Sequence, residues 1–366
     1  PFATLIGRCN QAPAPVLAVD LPSGLNATTG AAEGDVVNAA MTVTFIGLKA
    51  GLFTGQGAAV CGEVVFESLD TADGVAGSGE KPVAVRRDWD SVMSWLPPRP
   101  ANAHKGRFGH VLVVAGDRGY GGAALLAAEA AARSGAGLVS LATRPEHVTA
   151  ALARCPSIMV HGLIHGSELP SLLDAASVVV CGPGIGRSAW GQQMLEQVIA
   201  SGKPRVLDAD ALNLLSGRVA VPADNHILTP HPGEAARLLN CLVSEVEADR
   251  MAAALKLQAR YGGTVLLKGA GTVVASEGGI LDVINGSNPG MATGGMGDVL
   301  SGMIGAVLGQ LGDGQKAAVL GAAAHLAAAD RASEGSGFIG LIPTDVIDAL
   351  PLVFRESESY PEAGEL

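Results

Sequence analysis

The chain has 366 residues, 48% of them hydrophobic and 16% charged, enough for a sizeable core in one large domain or two. Its formal net charge of −11 argues against nucleic acid or an anionic membrane as the main partner, because both need a basic face; a locally positive cleft remains open to it. Five scattered cysteines with no C-x-x-C spacing fit a reducing, cytoplasmic setting, and no run of 18 apolar residues offers a transmembrane helix.

The chain opens on Pro1 without an initiator Met or a signal-peptide pattern, so its natural beginning is expected upstream. Residues 14–70 hold a strand ending at Asp20, the turn "PSG", and the strand-rich "MTVTFIGLKAGLF". Residues 71–82 and 96–103 are rich in Gly, Pro and small side chains, with Trp89 and Trp95 between them. The span 76–100 therefore reads as a linker, or as an irregular approach to a second domain.

From residue 101 to 355 the pattern alternates. "HVLVVAG" (110–116) is a continuous apolar run, hence a buried strand, and "GGAALLAAEAAARSG" (121–135) a helix closed by Gly135. "LVSLAT", "SVVVCGPGIG", "RVLDAD", "HILTPHPGE" and "TVLLKGAGT" repeat the rule of an apolar strand followed by a polar or glycine-rich loop, and 244–260 is helical between two of them. Strands buried on both faces and separated by helices predict an α/β fold with a mainly parallel sheet, whose ligands bind at the carboxyl ends of the strands. Residues 356–366 read as a tail.

Four loops carry chemistry. In "TGGMGD" the residues Leu300, Met303, Ile304, Val307 and Leu308 lie on one helical face, so Asp298 stands at a helix N-terminus opened by glycines, a place attractive to phosphate. Taken alone, Asp298 is more simply an N-cap. "TVLLKGAGTVVAS" (264–276) gives strand, turn, strand: a plain hairpin with a surface Lys268, or a loop wrapping a nucleotide. "TPHPGE" places His231 and Glu234 at a strand-to-helix junction, where a structural histidine is the simpler reading, and "CGPGIGR" is another close-approach turn. Four such loops in one alternating domain point to a nucleotide-handling site.

These same stretches, with "HKGRFGHVLVVAGDRGYGG", "DADALNLL" and "NPGMATGGMGDVLSG", resemble the ADP- or ATP-dependent NAD(P)H-hydrate dehydratases of the ribokinase-like superfamily, in the family's order over residues 104–350. The resemblance implies a three-layer sandwich. Residues 1–75 resemble the last part of an NAD(P)H-hydrate epimerase domain, a partial Rossmann-like remnant lacking the family's Asn-Asn-Gly-Gly-Asp loop. Its Asp20 matches the family's Asp in "DLPSG", and Ser23 the potassium-linked Ser. K⁺ is expected only with an intact epimerase domain, and a purely structural role for Asp20 stays open.

The implied reaction is repair of hydrated nicotinamide cofactors. Phosphorylation of the C6 hydroxyl of the S hydrate makes a leaving group, and elimination of phosphate restores NAD(P)H. By resemblance Lys268, Gly269, Ala270, Gly271, Thr272 and Gly297 bind the nucleotide, and Ala123, Gly186, His231 and Asp298 the hydrate. Asp298 is the base, and the amides of Gly295, Met296 and Gly297 hold the phosphoryl charge. ADP, by lean, or ATP is the co-substrate with Mg²⁺, whose ligands the sequence does not assign. NADH or NADPH hydrate is the substrate, a homo-oligomer is implied, and R–S epimerisation is expected to be absent. A small-molecule alcohol kinase and a non-catalytic nucleotide-binding protein are the alternatives.

Overall fold

A computed structural model describes residues 2–358; the last residues of the expected tail lie outside it. Near the N-terminus, β1 (Leu17–Val19), β2 (Met41–Phe45) and β3 (Glu63–Glu67) form a separate three-stranded parallel sheet. Leu17 and Val19 of β1, and Val65 and Phe66 of β3, stay exposed.

The larger sheet has ten strands: β4 (Ala84–Arg87), β5 (His110–Val114), β6 (Leu138–Thr143), β7 (Met159–Gly162), β8 (Val178–Cys181), β9 (Arg205–Leu207), β10 (His226–Leu228), β11 (Thr264–Leu267), β12 (Val273–Ala275) and β13 (Leu281–Ile284). In space they run β4-β13-β12-β11-β10-β9-β8-β5-β6-β7. All pairs are parallel except the two made by β12, which turns back from β11 and pairs antiparallel with β13.

The continuous apolar runs follow from burial on both faces, since successive strand residues point to opposite sides. Val111, Val113, Val178 and Val180 meet one helical layer, which includes Gly121–Arg133, Met296–Leu311 and Pro343–Glu356. Leu112, Val114, Val179 and Cys181 meet the other, with Ala189–Ala200, Pro232–Leu239 and Arg250–Tyr261. Two cores on either side of one sheet make the expected three layers. The helical span 244–260 divides at Asp249, whose carboxylate caps the second helix by accepting from Ala252 N at 2.9 Å.

The span 76–100, expected as a linker or an irregular approach, holds regular structure packed on the larger sheet. Ala84–Arg87 pairs in register with β13 as the sheet's edge strand, Asp88 caps the short helix Trp89–Val92, and both Trp89 and Val92 are buried in the core. Its low sequence periodicity hid a strand that depends on a partner almost 200 residues away. No helix among the described residues is long and apolar enough to cross a membrane.

Candidate active site

β9, β10 and β11 end side by side, and the residues just past them open a cavity of about 650 Å³ with the first turn of Met296–Leu311 across it. Asp208 follows β9 and Lys268 follows β11. The Lys268 ammonium lies 2.7 Å from Asp208 Oδ1 and 3.9 Å from Glu234 Oε2. Asp208 is 1% exposed, and its second oxygen accepts from Ser301 Oγ at 2.5 Å. Burial opposes the charge on Lys268, but Asp208 and Glu234 outweigh it and hold its pKa above the ordinary value. Ala209, directly after Asp208, takes φ +48 and ψ −117, a positive-φ backbone that costs a non-glycine residue energy and is held by its surroundings.

Gly295 starts the helix in the left-handed region, φ +97, and the first helical N–H to find a backbone partner is that of Val299, to Gly295 O at 3.1 Å. The amides of Met296, Gly297 and Asp298 precede it and have no partner within the helix. Asp298 is the third residue of the helix, so it does not cap it: the N-cap is Gly295, which has no side chain to do so. The simple cap reading is thereby set aside.

Burial, followed by the carboxylate of Asp208, pushes Asp298 up to about 7, with Asp210 and Glu234 adding to the rise and Lys268 opposing it. The helix N-terminus favours the ionised form, but three neighbouring acids and desolvation prevail. Glu234 is likewise raised, to about 7, chiefly by burial and also by Asp208 against the pull of Lys268. The two acids belong to one titrating network.

His231 is both a helix cap and a residue of the cavity wall. It caps Pro232–Leu239, with Nδ1 accepting from Gly233 N at 3.0 Å while Glu234 Oε2 accepts from His231 N at 2.9 Å, and it also stands on the cavity wall. Burial and then Lys268 lower its pKa, so the ring is neutral at pH 7 with its proton on Nε2.

Of the residues singled out in the sequence, His231, Lys268, Gly269, Ala270, Thr272, Gly295, Met296, Gly297 and Asp298 line this cavity. Gly297 packs closest on the ion pair: a Cβ there would sit 3.2 Å from Lys268 Nζ and 3.5 Å from Asp208 Oδ2.

The remaining ones are placed elsewhere. Gly271 turns its Cα away from the cavity, where a Cβ would strike Phe53 O at 1.8 Å. Gly186 donates its N–H to Asp210 Oδ2 at 3.0 Å and faces Asp117, and Ala123 packs by Gly184. Asp117 is held by Ser188 Oγ at 2.7 Å and Arg144 Nε at 2.8 Å, which bring its pKa below the usual range against the effect of burial. Asp210 in turn adds to the negative charge that acts on Asp298. Ser23 lies on an exposed turn, and Asp20 is bound to Lys49, Thr44 Oγ1 and Phe45 N. No group of three metal-ligating side chains occurs among the described residues.

Asp208 and Asp210 received no role from the sequence, and Glu234 was noted only for its position. The available signal was "DAD" at the carboxyl end of a buried strand, where an acid meets the ligand edge of the sheet.

A family model described as NAD(P)H-hydrate dehydratase matches residues 111–352, and one described as YjeF-related protein N-terminus matches residues 1–51. The bifunctional NAD(P)H-hydrate repair enzyme of Coxiella burnetii is 46% identical over 350 residues, which cover 96% of this chain and 71% of that protein. That of Escherichia coli K12 is 48% identical over 352 residues, 95% of this chain and 67% of its own length. Among solved structures, the ADP/ATP-dependent NAD(P)H-hydrate dehydratase from Bacillus subtilis, co-crystallised with ATP and Mg²⁺, has a TM-score of 0.66 at 30% identity, covering 73% of this chain and 96% of that one. A ribokinase-like superfamily protein from Enterococcus faecalis has a TM-score of 0.70 at 30% identity, covering 76% and 98%.

Proposed function

The chain belongs to the NAD(P)H-hydrate dehydratase family, and on that premise we propose that its cavity phosphorylates the C6 hydroxyl of (S)-NADH or (S)-NADPH hydrate from ADP or ATP and then releases phosphate. The observation that carries the assignment is the meeting, in one cavity, of the Lys268 ammonium, the Asp298 carboxyl and the glycine-opened N-terminus of Met296–Leu311. The nucleotide's terminal phosphate lies against the free amides of Met296 and Gly297, beside Lys268. Asp298 accepts the hydroxyl proton while the C6 oxygen bonds to phosphorus and the bond to the departing nucleotide breaks. The ring nitrogen lone pair then expels phosphate from C6, a C5 proton leaves, and the dihydronicotinamide is restored.

Three carboxylates, Asp208, Glu234 and Asp298, face the cavity against one lysine, an excess of negative charge that a polyphosphate could join only with a cation to offset it. Mg²⁺ keeping phosphate oxygens and water as most of its ligands would suit such a site, with Glu234 as the carboxylate that would face its water shell, since Asp208 is spent on Lys268 and Ser301. When bound, the ion would stabilise charge on the transferring phosphoryl group.

For the domains, we propose that residues up to about 75 form the epimerase-like unit and that the dehydratase unit begins with the edge strand at Ala84. These 366 residues are proposed not to interconvert the R and S hydrates, since the Asp20 carboxylate is committed to Lys49, Thr44 and Phe45.

The test is absorbance at the dihydronicotinamide band with chemically prepared NADH hydrate. A rise dependent on ADP or ATP, with stoichiometric free phosphate, supports the dehydratase. A stable phosphorylated product would instead favour a simple alcohol kinase. A mixed-epimer sample run to completion, against a protein-free control, tests the second point: R hydrate lost faster than the control and the pull of S consumption would overturn it.

A further inference from the structure

The loop Lys268–Thr272 is gripped from behind by the N-terminal unit. Arg250, on the helix Arg250–Tyr261, is 2% exposed, and its guanidinium is spent on the base of this loop. Its Nη2 donates to Lys268 O at 3.0 Å and Leu267 O at 3.3 Å, Nη1 to Glu247 Oε1 at 3.1 Å, and Nε to Thr54 Oγ1 at 3.3 Å. Thr54, fully buried, passes the connection on: its hydroxyl donates to Gly271 O at 3.1 Å. Two close approaches mark how tightly the pieces meet. A Cβ on Gly269 would lie 2.6 Å from Arg250 Nη2, and one on Gly271 would lie 1.8 Å from Phe53 O.

A guanidinium removed from water is costly unless its donors are satisfied, so these contacts are all needed for Arg250 to stay where it is. The same contacts fix the carbonyls on both sides of Lys268–Thr272. Lys268, Gly269, Ala270 and Thr272 present the other side of that loop to the cavity.

We propose that Thr54 and Arg250 are positioning residues for the nucleotide loop, so that the N-terminal unit sets nucleotide binding in the dehydratase cavity without touching the ligand. This rests on the function proposed above. Removing the Thr54 hydroxyl leaves Arg250 Nε and Gly271 O without partners in a dry site, and the loop relaxes to recover hydrogen bonds. The loss falls on nucleotide affinity, because Asp298 and the helix N-terminus are held by other contacts.

The test uses the whole chain with Thr54→Val, which keeps the shape, and Thr54→Ser, which keeps the hydroxyl. Direct ADP and ATP binding is measured by calorimetry and turnover with NADH hydrate in parallel. Thr54→Val is expected to raise nucleotide Kd and KM about 5–20-fold with kcat within about two-fold, and Thr54→Ser to stay near wild type. Arg250→Lys, which keeps the charge but loses the fork, should weaken binding in the same sense. Equal nucleotide affinity in a folded Thr54→Val protein would overturn the proposal, as would equal losses in Val and Ser variants. If the wild-type chain bound neither nucleotide, the proposed function would fall together with this inference; intact wild-type binding and turnover with an unaffected Thr54→Val would remove this inference alone.

Discussion

Asp208 holds Lys268 by a 2.7 Å ion pair between residues 60 positions apart, joining the ends of two strands that flank β10. The same buried carboxylate raises the pKa of Asp298 across the cavity. One side chain thus orients the cation proposed to meet the phosphate and tunes the acid proposed to take the proton.

Asp298→Asn keeps the size of the side chain and removes the proton acceptor. Expected is a fall in kcat of about 10²–10⁴-fold with ADP and ATP affinity largely kept. A variant retaining more than about a third of wild-type kcat would end the assignment of Asp298 as base.

The pH dependence has a definite sign. Asp298 acts ionised, so kcat/KM rises with pH through about 7, on a limb it shares with Glu234. Stability runs the other way. The folded pKa lies above the unfolded 3.8, so the favourable contribution is complete below that value and is lost as pH climbs through about 7. At pH 8, Asp298→Asn should melt higher than wild type by on the order of 1–3 °C, the gain shrinking as pH falls toward 4. An inactive variant no more stable at pH 8 than wild type would contradict the raised pKa.

Gly297→Ala tests the cavity geometry. The position is inside a helix, where alanine is the better residue, so the fold should hold or gain. The new methyl would press on Lys268 Nζ at 3.2 Å. A rise in nucleotide KM of about 3–30-fold is expected, read from steady-state kinetics; an unchanged KM would mean that Lys268 does not meet the nucleotide there.

Asp208→Asn removes a negative neighbour of Asp298 and frees Lys268 to act on it. Both changes lower the Asp298 pKa, so the acid limb of the pH–rate profile should move to lower pH while kcat falls about ten-fold or more as Lys268 loses its anchor. Movement to higher pH would refute the electrostatic account.

Much of the site was legible because it lies in local patterns. "GGMGD" before an apolar helical face announced a helix N-terminus, and "LLKGAGTVV" announced the β11–β12 hairpin; both loops meet at the cavity. Gly271 was expected against the nucleotide, but its Cα packs against a neighbour that the local sequence does not show. That neighbour, Phe53, belongs to another unit more than 200 residues earlier.

By itself, then, the sequence determined the alternation of strands and helices, the parallel sheet and the loops that carry glycine and charge. Periodicity and turn chemistry act over a few residues, and a chain can be read at that range. Only the tertiary structure decided the partner of Lys268, the near-neutral pKa of Asp298, the grip of Thr54 and Arg250 on the nucleotide loop, and the place of Ala84–Arg87 at the sheet edge. Each of these depends on which distant segments become neighbours and on how much water their packing excludes, and both follow from the order of the ten strands and from the packing of the N-terminal unit on the loops at their ends.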